Sequence, residues 1–132
     1  MRFFGRSNVL DLGIVIFCSG AMVYECLEAA KILETKNISA RVVNMHTIKP
    51  IDESAIKKAV DTSLIVSVEE HNIIGGLGSA IAEYKSSFKN SPKQLFLGVK
   101  DVYSKGGSYK FLKEKHGLYK EKIVEDVVNN LN

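Results

Sequence analysis

Leu64-Ile65-Val66-Ser67-Val68 runs into Glu69-Glu70-His71-Asn72-Ile73-Ile74 and then into Gly75-Gly76-Leu77-Gly78-Ser79-Ala80, and the reading of this stretch decides the fold. A short aliphatic and β-branched run bounded by polar residues is what a strand buried on both faces requires. The glycines open a segment in which Leu77, Ala80, Ile81, Tyr84 and Phe88 recur at helical spacing, until Asn90-Ser91-Pro92 stops it. Two carboxylates and a histidine therefore sit where a strand hands over to a helix, the place where open α/β sheets carry their sites.

The same alternation extends to both sides. Leu12 to Cys18 reads as a buried strand, with residues 7 to 11 as a short edge strand before it. Ala21 to Lys36 reads as an amphipathic helix with Val23, Cys26, Leu27, Ala30 and Leu33 inward and Glu25, Glu28, Lys31 and Glu34 outward, stopped by Asn37. Ala40 to Met45 is a second strand, and the His46-Thr47-Ile48-Lys49-Pro50 segment is a loop, because the residue before a proline avoids helix. Asp52 is a good N-cap for a helix from about Glu53 to Val60, with Ile51 and Ile56 placed to pack across it. Gln94 to Val99 is the last strand. Asp101 to Gly107 is a loop, Ser108 caps a short helix with Phe111 and Leu112 that Gly117 ends, and the final helix puts Val124, Val127, Val128 and Leu131 on one stripe. Short connections and right-handed crossovers turn this order into a mostly parallel sheet with helices on both faces.

At 132 residues, 45% apolar and 25% charged, the chain is the size of a single domain. The net charge of +3 is mild, and the C-terminal lysines share their segments with Glu114, Glu121 and Glu125, a solvated face rather than a nucleic-acid footprint. Two cysteines without CxxC spacing exclude a disulfide framework or a cysteine zinc site and point to a reducing, cytoplasmic setting. Met1 to Cys18 mimics a secretory leader, but Asp11 interrupts a short apolar run and a regular helix pattern follows at once, so a core strand is expected. No run approaches the roughly 20 apolar residues of a membrane span.

Glu69 and Glu70, adjacent at a strand end, point to opposite faces and form no paired-acid site, so one of them is expected to face a crevice. His71 is either a general base or a loop-bonding residue, and no nucleophile accompanies it in sequence; His46 ends another strand and is placed to approach it. His116, just before Gly117, is expected to meet the C-terminal end of its own helix. The glycines match no nucleotide fingerprint, since Ile81 stands where a third glycine belongs and no GK[ST] follows. They read as a tight turn with close helix-to-sheet packing, the alternative being an anion-binding helix start. A free-standing module would bind an anionic metabolite between Ser19, Gly20, Glu70, His71, Gly75 and Gly76 if strand order reverses there.

Ser19-Gly20-Ala21-Met22-Val23-Tyr24-Glu25, Val43-Asn44-Met45-His46-Thr47-Ile48-Lys49-Pro50-Ile51-Asp52, Val68 to Ala80 and Gly98-Val99-Lys100-Asp101, in this order and spacing, resemble the C-terminal domain of transketolases. Relatives of that domain occur in 1-deoxyxylulose-5-phosphate synthase and in the β subunits of 2-oxoacid dehydrogenases. The His46 to Pro50 and Gly98 to Asp101 blocks look closer to the transketolase type than to those relatives, and resemble in particular the C-terminal half of transketolases split over two chains.

The resemblance implies a three-layer α/β/α fold with a mixed, mostly parallel five-stranded sheet, in which residues 7 to 11 form the antiparallel edge and residues 1 to 8 are the remnant of a linker. It also implies two-carbon ketol transfer between sugar phosphates by thiamine diphosphate and Mg²⁺. The family holds that cofactor on a Gly-Asp-Gly motif in another domain, and these 132 residues contain none. No catalytic, cofactor-binding or metal-ligating residue is therefore expected here. The implied partners are a cofactor-binding subunit and a second copy of the chain, and the candidate crevice or interface residues are Ser19, Gly20, His46, Glu70, His71, Gly75, Gly76 and Gly78. Tyr119 stands where the family has a capping Thr or Ser, which implies a less firmly started last helix.

Overall fold

A computed structural model describes residues 13–46, 49–99 and 113–131, apart from the side chains of His71 and Asn72. Strand and helix alternate along it: β1 (Ile14–Cys18), α1 (Met22–Thr35), β2 (Ala40–Asn44), α2 (Glu53–Lys57), β3 (Leu64–Asn72), α3 (Leu77–Lys85), β4 (Lys93–Val99) and α4 (Lys120–Asn130). The strands form one sheet in the order β2-β1-β3-β4, and every pairing is parallel. Four strands are therefore present among the described residues where five were expected. The fifth, at residues 7 to 11, lies outside them, as do the loop and capped turn expected between 101 and 112.

Side-chain alternation along the central strands divides the core in two. Ile14, Ile16 and Cys18 of β1 and Leu64, Val66 and Val68 of β3 face α1 and α4. Val15 and Phe17, with Ile65 of β3, face α2 and α3. β1 is buried along its whole length, so its lack of alternation reflects helices on both faces.

The helix caps follow the expected chemistry in two places. Asp52 Oδ1 accepts from the Ala55 N–H at 3.1 Å, and α2 is shorter than expected, ending at Lys57. Asn37, at φ +62°, turns the chain out of α1 through Asn37 N–H to Glu34 O and Ile38 N–H to Leu33 O bonds.

The inward face of α1 is rotated relative to the expected stripe. Met22, Glu25, Cys26, Ala29, Ala30 and Leu33 are buried, while Val23 and Leu27 are only half-buried. α1 packs against α4 as well as the sheet, and this second contact draws Glu25 inward. Cys18 and Cys26 are buried, free thiols. A hydrogen bond between them, then burial, pushes the Cys26 thiol well above its usual range.

Candidate functional site

The chain leaves β1 for β2 on one side and then crosses to β3 on the other, so strand order reverses between β1 and β3. Cys18 is in register with Asn44 of β2 and Val68 of β3. Ser19, Gly20, His46, Glu70 and His71 therefore emerge on the same C-terminal edge of the sheet, at the switch point where such folds open a crevice. Gly20 has φ +59° and Gly75 φ +80°, backbone conformations that favour glycine, and both are exposed. His46 is exposed and Glu70 half-buried; the His71 side chain lies outside the described residues, so the expected approach of the two histidines does too.

The acid that organises this edge is Glu69. β3 alternates so that Ile65, Ser67 and Glu69 lie beneath α3, and Glu69 is only 1% exposed. Its Oε1 accepts from the Leu77 N–H and its Oε2 from the Gly78 N–H, each at 2.8 Å. The N-cap position of α3 is Gly76, which has no side chain to offer. A strand carboxylate thus supplies both the acceptors and the negative charge that a helix start favours. The neighbouring turn is tied down as well, since the Gly75 N–H donates to Ser79 Oγ at 2.8 Å and that hydroxyl donates to the Ile73 carbonyl at 3.1 Å.

The anion at this glycine-rich helix start is therefore the chain's own. A phosphate seeking the Leu77 and Gly78 N–H groups would have to displace a buried carboxylate that already holds both. Among the described residues no group of three or more His, Cys, Asp or Glu side chains is placed to hold a metal ion. These residues do not fit the diphosphate and metal of a thiamine cofactor.

Gly78 shows why the last glycine is needed. A Cβ built there would lie 2.6 Å from both Ser67 Oγ and Phe96 Cδ2, so α3 reaches the sheet only without a side chain. Gly78→Ala is expected to cost about 1 to 2 kcal/mol through overpacking, read as a lowered Tm in thermal unfolding.

A second buried acid was expected on the solvent side of α1. Glu25 is 9% exposed; its Oε1 accepts from Lys113 Nζ at 3.0 Å and its Oε2 from the Lys120 N–H at 2.8 Å. Tyr119 provides no side-chain cap for α4, and Glu25 supplies the acceptor in its place. The expected weak start of the last helix is thus corrected by a residue 95 positions earlier. His116 Nε2 is buried, without a hydrogen-bond partner among the described residues, in a cleft of about 360 Å³ between β4 and α4.

Residues 11–123 match the family model for the transketolase C-terminal domain. The chain belongs to that family. It is 41% identical over 124 residues to 6-deoxy-6-sulfo-D-fructose transketolase subunit SqwH of a Clostridium species, covering 91% of this chain and 38% of that one. It is 35% identical over 130 residues to 1-deoxy-D-xylulose-5-phosphate synthase of Dictyoglomus thermophilum, covering 96% of this chain and 21% of that one. Its fold matches a split gene transketolase solved as an inactive β4 tetramer, with a TM-score of 0.82, 37% identity and coverage of 98% of this chain and 41% of the other. The chain thus spans about two fifths of the split-type relatives and about a fifth of the synthase.

Proposed function

We propose that this transketolase C-terminal domain serves a thiamine-diphosphate- and Mg²⁺-dependent enzyme that transfers a two-carbon ketol unit between sugar phosphates, and that it does so by supporting assembly, without touching the reacting atoms. The observation that carries this reading is the use of the signature stretch. Glu69 and the glycines after it are occupied in holding β3 to α3, and a buried acid already bonded to two backbone N–H groups is not free for acid–base work. The cofactor-holding residues then lie outside these 132 residues, on a partner subunit carrying Gly-Asp-Gly or on further polypeptide. A relative named as a subunit and a structure described as split-gene favour the partner-subunit form over the single-chain synthase form. A second copy of this chain completes the assembly, and the setting is the cytoplasm; no helix among the described residues is long and apolar enough to cross a membrane.

Affinity co-purification from the native host, with the genes beside this one read in parallel, tests the proposal. Recovery of a Gly-Asp-Gly-bearing chain is the expected result. Absence of such a chain, with no gene for one alongside and none on a longer form of this polypeptide, would overturn it.

A further inference from the structure

We infer that the cleft between β4 and the start of α4 is a binding site for an uncharged, polyhydroxylated small molecule. It encloses about 360 Å³, at the small end of ligand pockets. Ile73 and Leu97 give it apolar surface, while His116, Tyr119, Lys122 and Asp126, from the turn before α4 and from α4 itself, supply hydrogen-bonding groups. Both parts are held in place before any ligand arrives. The Ile73 N–H donates to the Val99 carbonyl at 3.0 Å; the turn carrying His116 is closed by Leu118 N–H to Lys113 O at 2.8 Å, with Leu118 buried in the core. A Cβ built at Gly117 would lie 3.0 Å from Lys122 Cγ, so the lysine stem runs along that turn.

The charges of the cleft cancel. Lys122 Nζ lies 3.0 Å from Asp126 Oδ1 and 3.6 Å from Glu125 Oε1, and exposed Lys115 is balanced by exposed Glu114 beside it. An entering anion would meet Asp126 and Glu114, and a cation would meet Lys115 and Lys122, so a neutral ligand is favoured. The Lys122–Asp126 pair sets a donor beside an acceptor, a pattern that two adjacent hydroxyls satisfy. His116 supplies the reason for a ligand. Its Nε2 is buried without a partner among the described residues, a loss to the folded chain that a ligand hydroxyl makes good. That nitrogen is shielded in the empty cleft, so the ring turns toward the ligand as it enters. The site stands apart from the proposed assembly role and rests on no part of it: Leu97 packs with the α1 and α4 face of the sheet, and Glu69 lies beneath α3 on the other.

Long-range ¹H–¹⁵N correlation NMR of the histidine imidazoles in the full chain tests it. The titrants are myo-inositol and D-glucose at millimolar concentration, with inorganic phosphate and methylammonium as charged comparators. A saturable shift of the His116 nitrogens with at least one neutral probe is expected, and none with either ion. Asp126→Asn is expected to weaken that binding about tenfold, since the acceptor loses its charge. His116→Phe is expected to abolish it while keeping or raising the Tm, because an unpaired buried nitrogen is replaced by apolar surface of similar shape. No saturable shift with either neutral probe, a larger response to phosphate or methylammonium, or unchanged binding in Asp126→Asn would overturn the inference. So would a Tm of His116→Phe well below that of the wild type, which would make the histidine a packing residue.

Discussion

Glu69→Ala is expected to destabilise the fold by about 3 to 4 kcal/mol, roughly 10 °C or more in Tm for a domain of this size. Two backbone N–H groups, of Leu77 and Gly78, would lose a charged acceptor in a buried setting, and the deleted carboxylate would leave a void beneath α3. The cost should fall locally first. Hydrogen exchange at Leu77 and Gly78 should accelerate well beyond that of β1, because the start of α3 opens before the sheet does. Retention of wild-type stability would show that water replaces the carboxylate at the helix start, and the cap would not be what holds this turn.

Glu25→Ala is the second large effect, at about 2 to 3 kcal/mol. The substitution removes the acceptor for the Lys120 N–H and the carboxylate 3.0 Å from the Lys113 ammonium. It also cuts a link of 88 positions in sequence that fastens the segment before α4 to α1. Urea unfolding of Glu25→Ala and Glu25→Gln separates the two contributions: glutamine retains an acceptor for the helix start while removing the charge, and should recover part of the loss. Equal stability of wild type and Glu25→Ala would contradict the assigned role.

Both acids show where sequence patterns stop. The strand–glycine–helix stretch from Leu64 to Ala80 was legible because the apolar run and the helical period depend on local spacing alone. Parity along β3 also placed Glu69 and Glu70 on opposite faces. What remained hidden was which of them is buried, because that depends on a deficiency elsewhere: Gly76 brings no capping side chain, and Glu69 is the acid on the α3 side. Taking Ile65, Ser67 and Glu69 as one face and noting the uncapped start of α3 would have found it.

Glu25 was harder. Its neighbours Glu28, Lys31 and Glu34 mark a solvated face, and its partner is an equally uncapped helix far along the chain. Long-range pairing of a buried acid leaves no periodic signal. The rotated stripe of α1 has the same origin, since packing against α4 is invisible to the period of α1 by itself. Of the candidate edge residues, topology gathers Ser19, Gly20, His46, Glu70 and His71 at one end of the sheet, while Gly75, Gly76 and Gly78 serve the turn into α3.

The most direct test of the central claim is the rate of two-carbon ketol transfer between sugar phosphates, measured per assembled complex with thiamine diphosphate and Mg²⁺ present. It should be measured for this chain alone, for the chain reconstituted with the proposed cofactor-bearing partner, and for the same complex carrying Glu70→Ala or His71→Ala. No turnover by the chain alone, turnover on reconstitution, and near wild-type turnover in both variants once assembly is matched are the predicted results. Turnover by the isolated chain, or a collapse of turnover in a fully assembled Glu70→Ala or His71→Ala complex, would contradict a purely supporting role.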